Sequence, residues 1–215
     1  MLLAERAPRS HNAYRTLESE RGESMTTKAE RVLVIGVVAE VNRQVVDGLK
    51  ALGFSAVGSI APSTAATDFH ARDFDLIAMG GGVDAATRRR LREAFEEQNK
   101  DVLLLDGFAP VAVQQIAWTL RGSRDGGSHA SDFSVEDRGE KLEARVTTRR
   151  DCRLRLDVYR SRGTNQWDVV RVAEASVTAG AHGFEIDKEI TRDALMLVLT
   201  LNEEEHLLHR LMPRP

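Results

Sequence analysis

The chain has 215 residues, 42% hydrophobic and 29% charged, with a formal net charge of -3. That length suits one large domain or two small ones, and the apolar share suffices for packed cores. The slight negative charge argues against generic nucleic-acid binding, and no apolar run approaches the roughly 20 residues of a membrane span.

Cys152 is the one cysteine, so an internal disulfide is excluded and no oxidising compartment is required. The opening Met1-Leu2-Leu3-Ala4 turns charged at Glu5 and Arg6, without the apolar core of a signal peptide. A cytoplasmic protein is therefore expected. Residues 1–28 are polar and aperiodic, which predicts a disordered tail. Met25, just before a strand pattern, looks like a natural start of translation.

Regularity begins at Arg31. Val32-Leu33-Val34-Ile35 reads as a strand buried on both faces. Val41, Val45, Val46, Leu49 and Leu52 follow at helical spacing, and Gly53 closes that helix. Ser55–Ile60 reads as a second strand, and Pro62 starts a short helix through about His70. Phe74–Met79 is the third strand. Asp84 is placed to N-cap a helix carrying Leu91, Ala94, Phe95 and Gln98 on one side. Asp101–Leu105 is the fourth strand, and Val113, Ile116, Ala117 and Leu120 mark a last helix. Alternation of this kind implies a parallel sheet with right-handed crossovers and helices on both faces, over residues 29–121.

Residues 122–132 are rich in Gly and Ser and read as a linker. Beyond it the period changes to two. Leu142, Ala144, Val146 and Thr148 alternate with polar residues, as do Cys152, Leu154, Leu156 and Val158. Further strands are predicted at 167–173, 174–179, 182–187, 194–201 and 205–209. Residues 133–215 are thus expected to form a small all-β antiparallel sandwich. The first two strands are expected to form a hairpin, and charge favours a register centred on Asp151, with Arg145 opposite Asp157.

In its order of elements, and in the phrases Arg31-Val32-Leu33-Val34-Ile35-Gly36 and Phe74-Asp75-Leu76-Ile77-Ala78-Met79, the first unit resembles a response-regulator receiver domain of flavodoxin-like type. That resemblance implies phosphoryl transfer to an aspartate ending the third strand, with Mg²⁺ held by acids after the first. Here Gly36 and Val37 follow strand one, Met79 and Gly80 end strand three, and Asp106 or Gly107 follows strand four. Without nucleophile or metal ligands the site is not expected to perform that transfer. The turn after Ile35 has one glycine where a dinucleotide fingerprint needs three, and Gly80-Gly81-Gly82-Val83 does not continue into a P-loop.

Two surfaces remain as candidates for binding. Free amides at Gly80, Gly81 and Gly82, with Arg88 and Arg89 crowding the start of the next helix, suit an anion. The plainer alternative is a tight turn, with Arg89 and Arg92 paired to Glu93 and Glu96 along the helix. In the sandwich, Arg153, Arg155 and Tyr159 would share the outward face of one strand with Trp167 nearby, a combination suited to protein recognition. His206 and His209 would face opposite sides of a strand, and Cys152 reads as a small core residue. No catalytic set, metal site or cofactor is expected. The sequence points first to a non-catalytic interaction or assembly protein with a protein partner or a second copy of itself. A small-molecule sensor or enzyme using the carboxyl ends of the strands is the alternative.

Overall fold

A computed structural model describes residues 29–122 and 127–211. The expected tail and the start at Met25 lie outside the described residues, as do 123–126 of the linker. Among the described residues, no helix is long and apolar enough to cross a membrane.

The first unit is a four-stranded parallel sheet in the order β2-β1-β3-β4, built from β1 (Arg31–Ile35), β2 (Ser55–Ser59), β3 (Leu76–Gly80) and β4 (Leu103–Gly107). Strand alternation divides its core in two. Val32 and Val34 of β1, with Leu76 and Ala78 of β3, pack on α1 (Ala39–Ala51) and α4 (Ala112–Ala117). Leu33 and Ile35, with Ile77 and Met79, pack instead on α2 (Ala65–Asp68) and α3 (Ala85–Gln98). A strand covered on both faces must be apolar throughout, which is why β1 and β3 read as unbroken apolar runs.

Local signals act as their chemistry dictates. Gly53 adopts φ +86°, the amide of Phe54 donates to the carbonyl of Leu49, and that of Gly53 donates to Lys50. This is a Schellman closure of α1, a conformation that a side chain would strain. Asp84 accepts from the Thr87 amide at 2.9 Å and so caps α3. The helix expected from Pro62 is shorter, with α2 confined to Ala65–Asp68 and a separate 3-10 turn at Ala71–Asp73. A π-helical turn, Trp118–Gly122, extends α4 and places Leu120 in the core.

The second unit is a sandwich of two antiparallel sheets. One has the order β11-β10-β7-β8 and the other β5-β6-β9. The strands are β5 (Ala130–Asp137), β6 (Lys141–Thr148), β7 (Cys152–Gly163), β8 (Gln166–Val177), β9 (Gly180–Asp187), β10 (Ala194–Leu201) and β11 (Glu205–Arg210). A helical turn, α5 (Lys188–Thr191), joins β9 to β10.

Three expectations are corrected here. The segment beginning at Ala130 is a paired strand, so the linker is shorter than 122–132. The stretch 167–179 is not two strands: β8 runs unbroken to Val177, and Val172 is the extra residue of a bulge, because Leu156 faces Ala173 while Asp157 faces Arg171. Nor do β6 and β7 form a hairpin. Arg145 lies opposite Ser134 and Gly183, and Asp157 opposite Arg171 and Val198. The two strands belong to different sheets, with Ala144 and Val146 in one core with Leu154 and Leu156. Alternation marks which face of a strand is buried, not which strand lies beside it.

The two units pack together. Leu197, Leu199 and Leu201 of β10 fill the sandwich, while Met196 and Val198, on its other face, meet Phe108 and Val111 of the first unit. The apolar run of β10 therefore serves two cores.

Candidate functional site

In an open parallel sheet, a crevice forms where neighbouring strands send their connections to opposite faces. Here that point lies between β1 and β3. After β1 the chain passes through α1 on one face, and after β3 through α3 on the other. Gly36 and Gly80 end these strands side by side. A Cβ on Gly80 would stand 3.2 Å from the carbonyl oxygen of Ile35, so this close approach favours glycine.

Above these ends lies a cavity of 440 Å³. Its floor is formed by Gly36, Gly80, Gly81, Gly82 and Gly107. Val37, Val41, Val45, Ala112 and Ile116 supply apolar walls from the first unit. The sandwich contributes Ser161, Gly163, Thr164, Asn165 and Trp167 from the β7–β8 hairpin, with Leu195, Met196 and Arg210 from β10 and β11. Arg210 is the one charged residue among the described residues that line it.

The hairpin is fixed at both ends. At its tip, the Asn165 side-chain amide donates to Gln44 Oε1 of α1 at 2.9 Å. At its base, the rings of Tyr159 and Trp167 stand edge-on to Phe108 with centroids 5.2 and 4.8 Å away. The indole Nε1–H of Trp167 is enclosed and has no acceptor among the described residues. Phe108 is itself held by its amide, which donates to the buried Gln115 Oε1 at 3.2 Å. Buried Asn42 braces the opposite wall, its Nδ2 donating to Val34 O at 2.8 Å and Ser59 O at 3.2 Å.

The residues of the anion candidate divide. Gly80, Gly81 and Gly82 line the cavity, and the amides of Gly81 and Gly82 have no acceptor among the described residues. Arg88 turns inward and binds the loop itself. Its Nη2 donates to the carbonyls of Gly80 and Val83 at 3.1 Å each, and its Nη1 pairs with Asp106. Arg92 reaches the same carboxylate at 3.0 Å rather than Glu96. Burial raises the pKa of Asp106, but the Arg88 and Arg92 guanidinium groups outweigh it and hold the carboxyl below the usual aspartate range. Arg89 is exposed on α3.

The expected recognition face of the sandwich is not a single exposed surface. Tyr159 is 9% exposed and packs with Trp167 against Phe108. Burial raises the Tyr159 pKa. Arg155 bonds buried Asp157 at 2.9 Å and Glu203 at 2.7 Å, while Arg153 is exposed and paired with Glu174. Tyr159 keeps the outward face that alternation assigned to it, and the covering first unit buries that end of β7.

Sequence reasoning missed Phe108, Asn42, Asn165, Met196 and Arg210. Asn42 did leave a signal, since it falls on the apolar side of α1 with Val45, Val46 and Leu49, where a polar side chain must find buried partners. Phe108 and Arg210 left none, because their roles depend on contacts between the units.

No protein-family model matches the chain, and no curated protein matches it. Solved structures resemble it only distantly. A GH3 beta-glucosidase from Bifidobacterium adolescentis is 12% identical over 86% of this chain and 50% of its own, with a TM-score of 0.33. The chain thus spans about half the length of that protein. A protein from Agrobacterium tumefaciens is 10% identical over 87% of this chain and 95% of its own, at a TM-score of 0.37. The E. coli curli protein CsgC is 19% identical over 38% of this chain and 96% of its own, at 0.23. Likenesses of this size carry no argument about activity.

Proposed function

We propose that this chain is a non-catalytic regulatory protein, built on a degenerate receiver-like frame, that responds to a small molecule bound between its two units. One observation carries the proposal: an apolar cavity at the switch point of the parallel sheet, walled on its other side by the sandwich. Its 440 Å³ falls within the range of small-molecule sites, about 300–1,000 Å³. A ligand there touches both units and so favours the state in which they are docked, which is how a binding event acquires a consequence elsewhere. Its described lining holds no cysteine, histidine or carboxylate, which supports binding rather than chemistry. The single cysteine, buried and unpaired, supports a cytoplasmic setting.

The test is native mass spectrometry of the purified chain, followed by thermal melting with small apolar and amphiphilic compounds. A compound present at about a hundredfold its Kd is expected to stabilise by about 2.7 kcal/mol. A chain that carries nothing and melts unchanged with every compound is not a sensor of this kind.

A second reading, self-association, is supported by one exposed edge. β2 is an outer strand of its sheet, with Val57 at its middle and Ile60 just beyond it, 42% and 57% exposed. Open apolar edges invite pairing with another copy. Light scattering is expected to report a dimer that Val57→Lys dissociates. A wild-type monomer at high concentration rejects this reading.

A further inference from the structure

Beside the cavity arginines outnumber carboxylates. Arg88 and Arg92 share the carboxylate of Asp106. Arg210, on the last strand of the sandwich, lines the cavity close enough to feel both Arg88 and Asp106. Three guanidinium groups therefore stand around one carboxylate, and two of them are bonded to it. The Arg210 side chain, on a residue paired through its backbone with Met196, has no hydrogen bond or ion pair among the described residues. Partial desolvation first, and then repulsion from Arg88, hold its pKa below the ordinary arginine value. Arg210 is nevertheless exposed at the edge of the cavity, where an incoming anion can reach its guanidinium.

Two glycines of the cavity floor carry free backbone donors. The Gly81 and Gly82 amides have no acceptor among the described residues. The rest of the lining consists largely of valine, alanine, methionine and aromatic surface, suited to a hydrocarbon body.

Resting on the reading of this cavity as a ligand site, we infer that its ligand is an amphiphilic carboxylic acid. The apolar body lies over the strand ends, and the carboxylate meets the Arg210 guanidinium at the mouth. A carboxylate matches the guanidinium fork with two parallel hydrogen bonds. A cationic ligand would be repelled by Arg210, and a neutral one would gain no charge-assisted bond from it. The pairing also fixes the ligand's orientation, charge toward the sandwich and hydrocarbon toward α1.

Octanoate and octanamide, which differ only in the head group, test this on the full chain by isothermal titration. Octanoate is expected to bind at least tenfold more tightly than octanamide. In Arg210→Gln that preference disappears while octanamide affinity stays as in the wild type, which also shows that the cavity is intact. Asp106→Asn, which removes the competing carboxylate, is expected to widen the preference for the acid. Equal affinity of the two compounds for the wild type, or equal weakening of both by Arg210→Gln, overturns the inference about the acid and leaves the cavity reading standing. If neither compound binds, while native mass spectrometry shows a bound molecule that is not an acid, the inference fails and the site survives. If nothing binds at all, both fall.

Discussion

The ring of Phe108, just after β4, meets the indole of Trp167 at the start of β8 with centroids 4.8 Å apart and planes 74° apart. This edge-to-face contact joins two units whose sequences have different periods, and it stands beside the cavity they share. Phe108 is 5% exposed in a cluster with Val111, Tyr159, Met196 and Val198. Removing its ring should cost about 3–5 kcal/mol, the range for large-to-small changes at packed aromatics. Phe108→Ala is expected to lower the urea midpoint accordingly and to shift tryptophan emission to the red as Trp167 becomes wet. An unchanged midpoint would mean that the units do not depend on this contact.

Two glycines near the cavity should respond differently to the same added methyl group. At Gly58 a Cβ would stand 1.9 Å from Asn42 Oδ1, and Asn42 is pinned by its bonds to Val34 and Ser59. Gly58→Ala should therefore cost about 1–3 kcal/mol, as overpacking does. At Gly82 the Cβ would meet Val37 Cγ2 at 2.3 Å, but Val37 is half-exposed and can turn away. Gly82→Ala is expected to leave stability within about 0.5 kcal/mol of wild type, as most surface changes do, while altering ligand affinity. Thermal melts of the two variants, side by side, decide the matter.

Asp106 predicts a component of acid sensitivity. Its folded pKa lies below its unfolded one because Arg88 and Arg92 outweigh the burial that opposes them. The stabilisation is thus complete above the ordinary aspartate pKa, about 3.9, and is lost as pH falls through the lower folded value. Asp106→Asn should flatten the acid limb of the stability profile relative to wild type. Parallel acid limbs would show that the pair contributes nothing.

The hairpin tip should open more easily without its tether. Asn165 sits at φ +56° and bonds Gln44 across the cavity mouth. Asn165→Gly keeps that backbone conformation at no steric cost and removes the bond. Hydrogen exchange over residues 161–166 is expected to accelerate while global stability barely changes. Undiminished protection there would assign the closure to Trp167 alone.

Much of the architecture was legible because it rests on local chemistry. The unbroken apolar runs of β1 and β3, the Schellman closure at Gly53 and the Asp84 cap each follow from a residue type and its immediate neighbours. So did the convergence of Gly36, Gly80 and Gly107 at the strand ends, since the alternation of strands and helices places those ends together. Partner choice was not legible. The alternation in β6 and β7 satisfies a hairpin and a pair facing across a sandwich equally well, and the choice depends on β5, β8, β9 and β10 being present to complete the two sheets.

By itself, then, the sequence determined the parallel sheet, the change to an antiparallel sandwich and the glycine floor of the cavity, because propensity, capping and periodicity act within a few residues. Tertiary structure alone decided that Tyr159 turns from solvent to Phe108, that Arg88 is consumed by its own loop, and that Arg210 arrives at the mouth of the cavity. Those outcomes depend on which surfaces meet when distant segments pack, and a one-dimensional pattern carries no record of that contact.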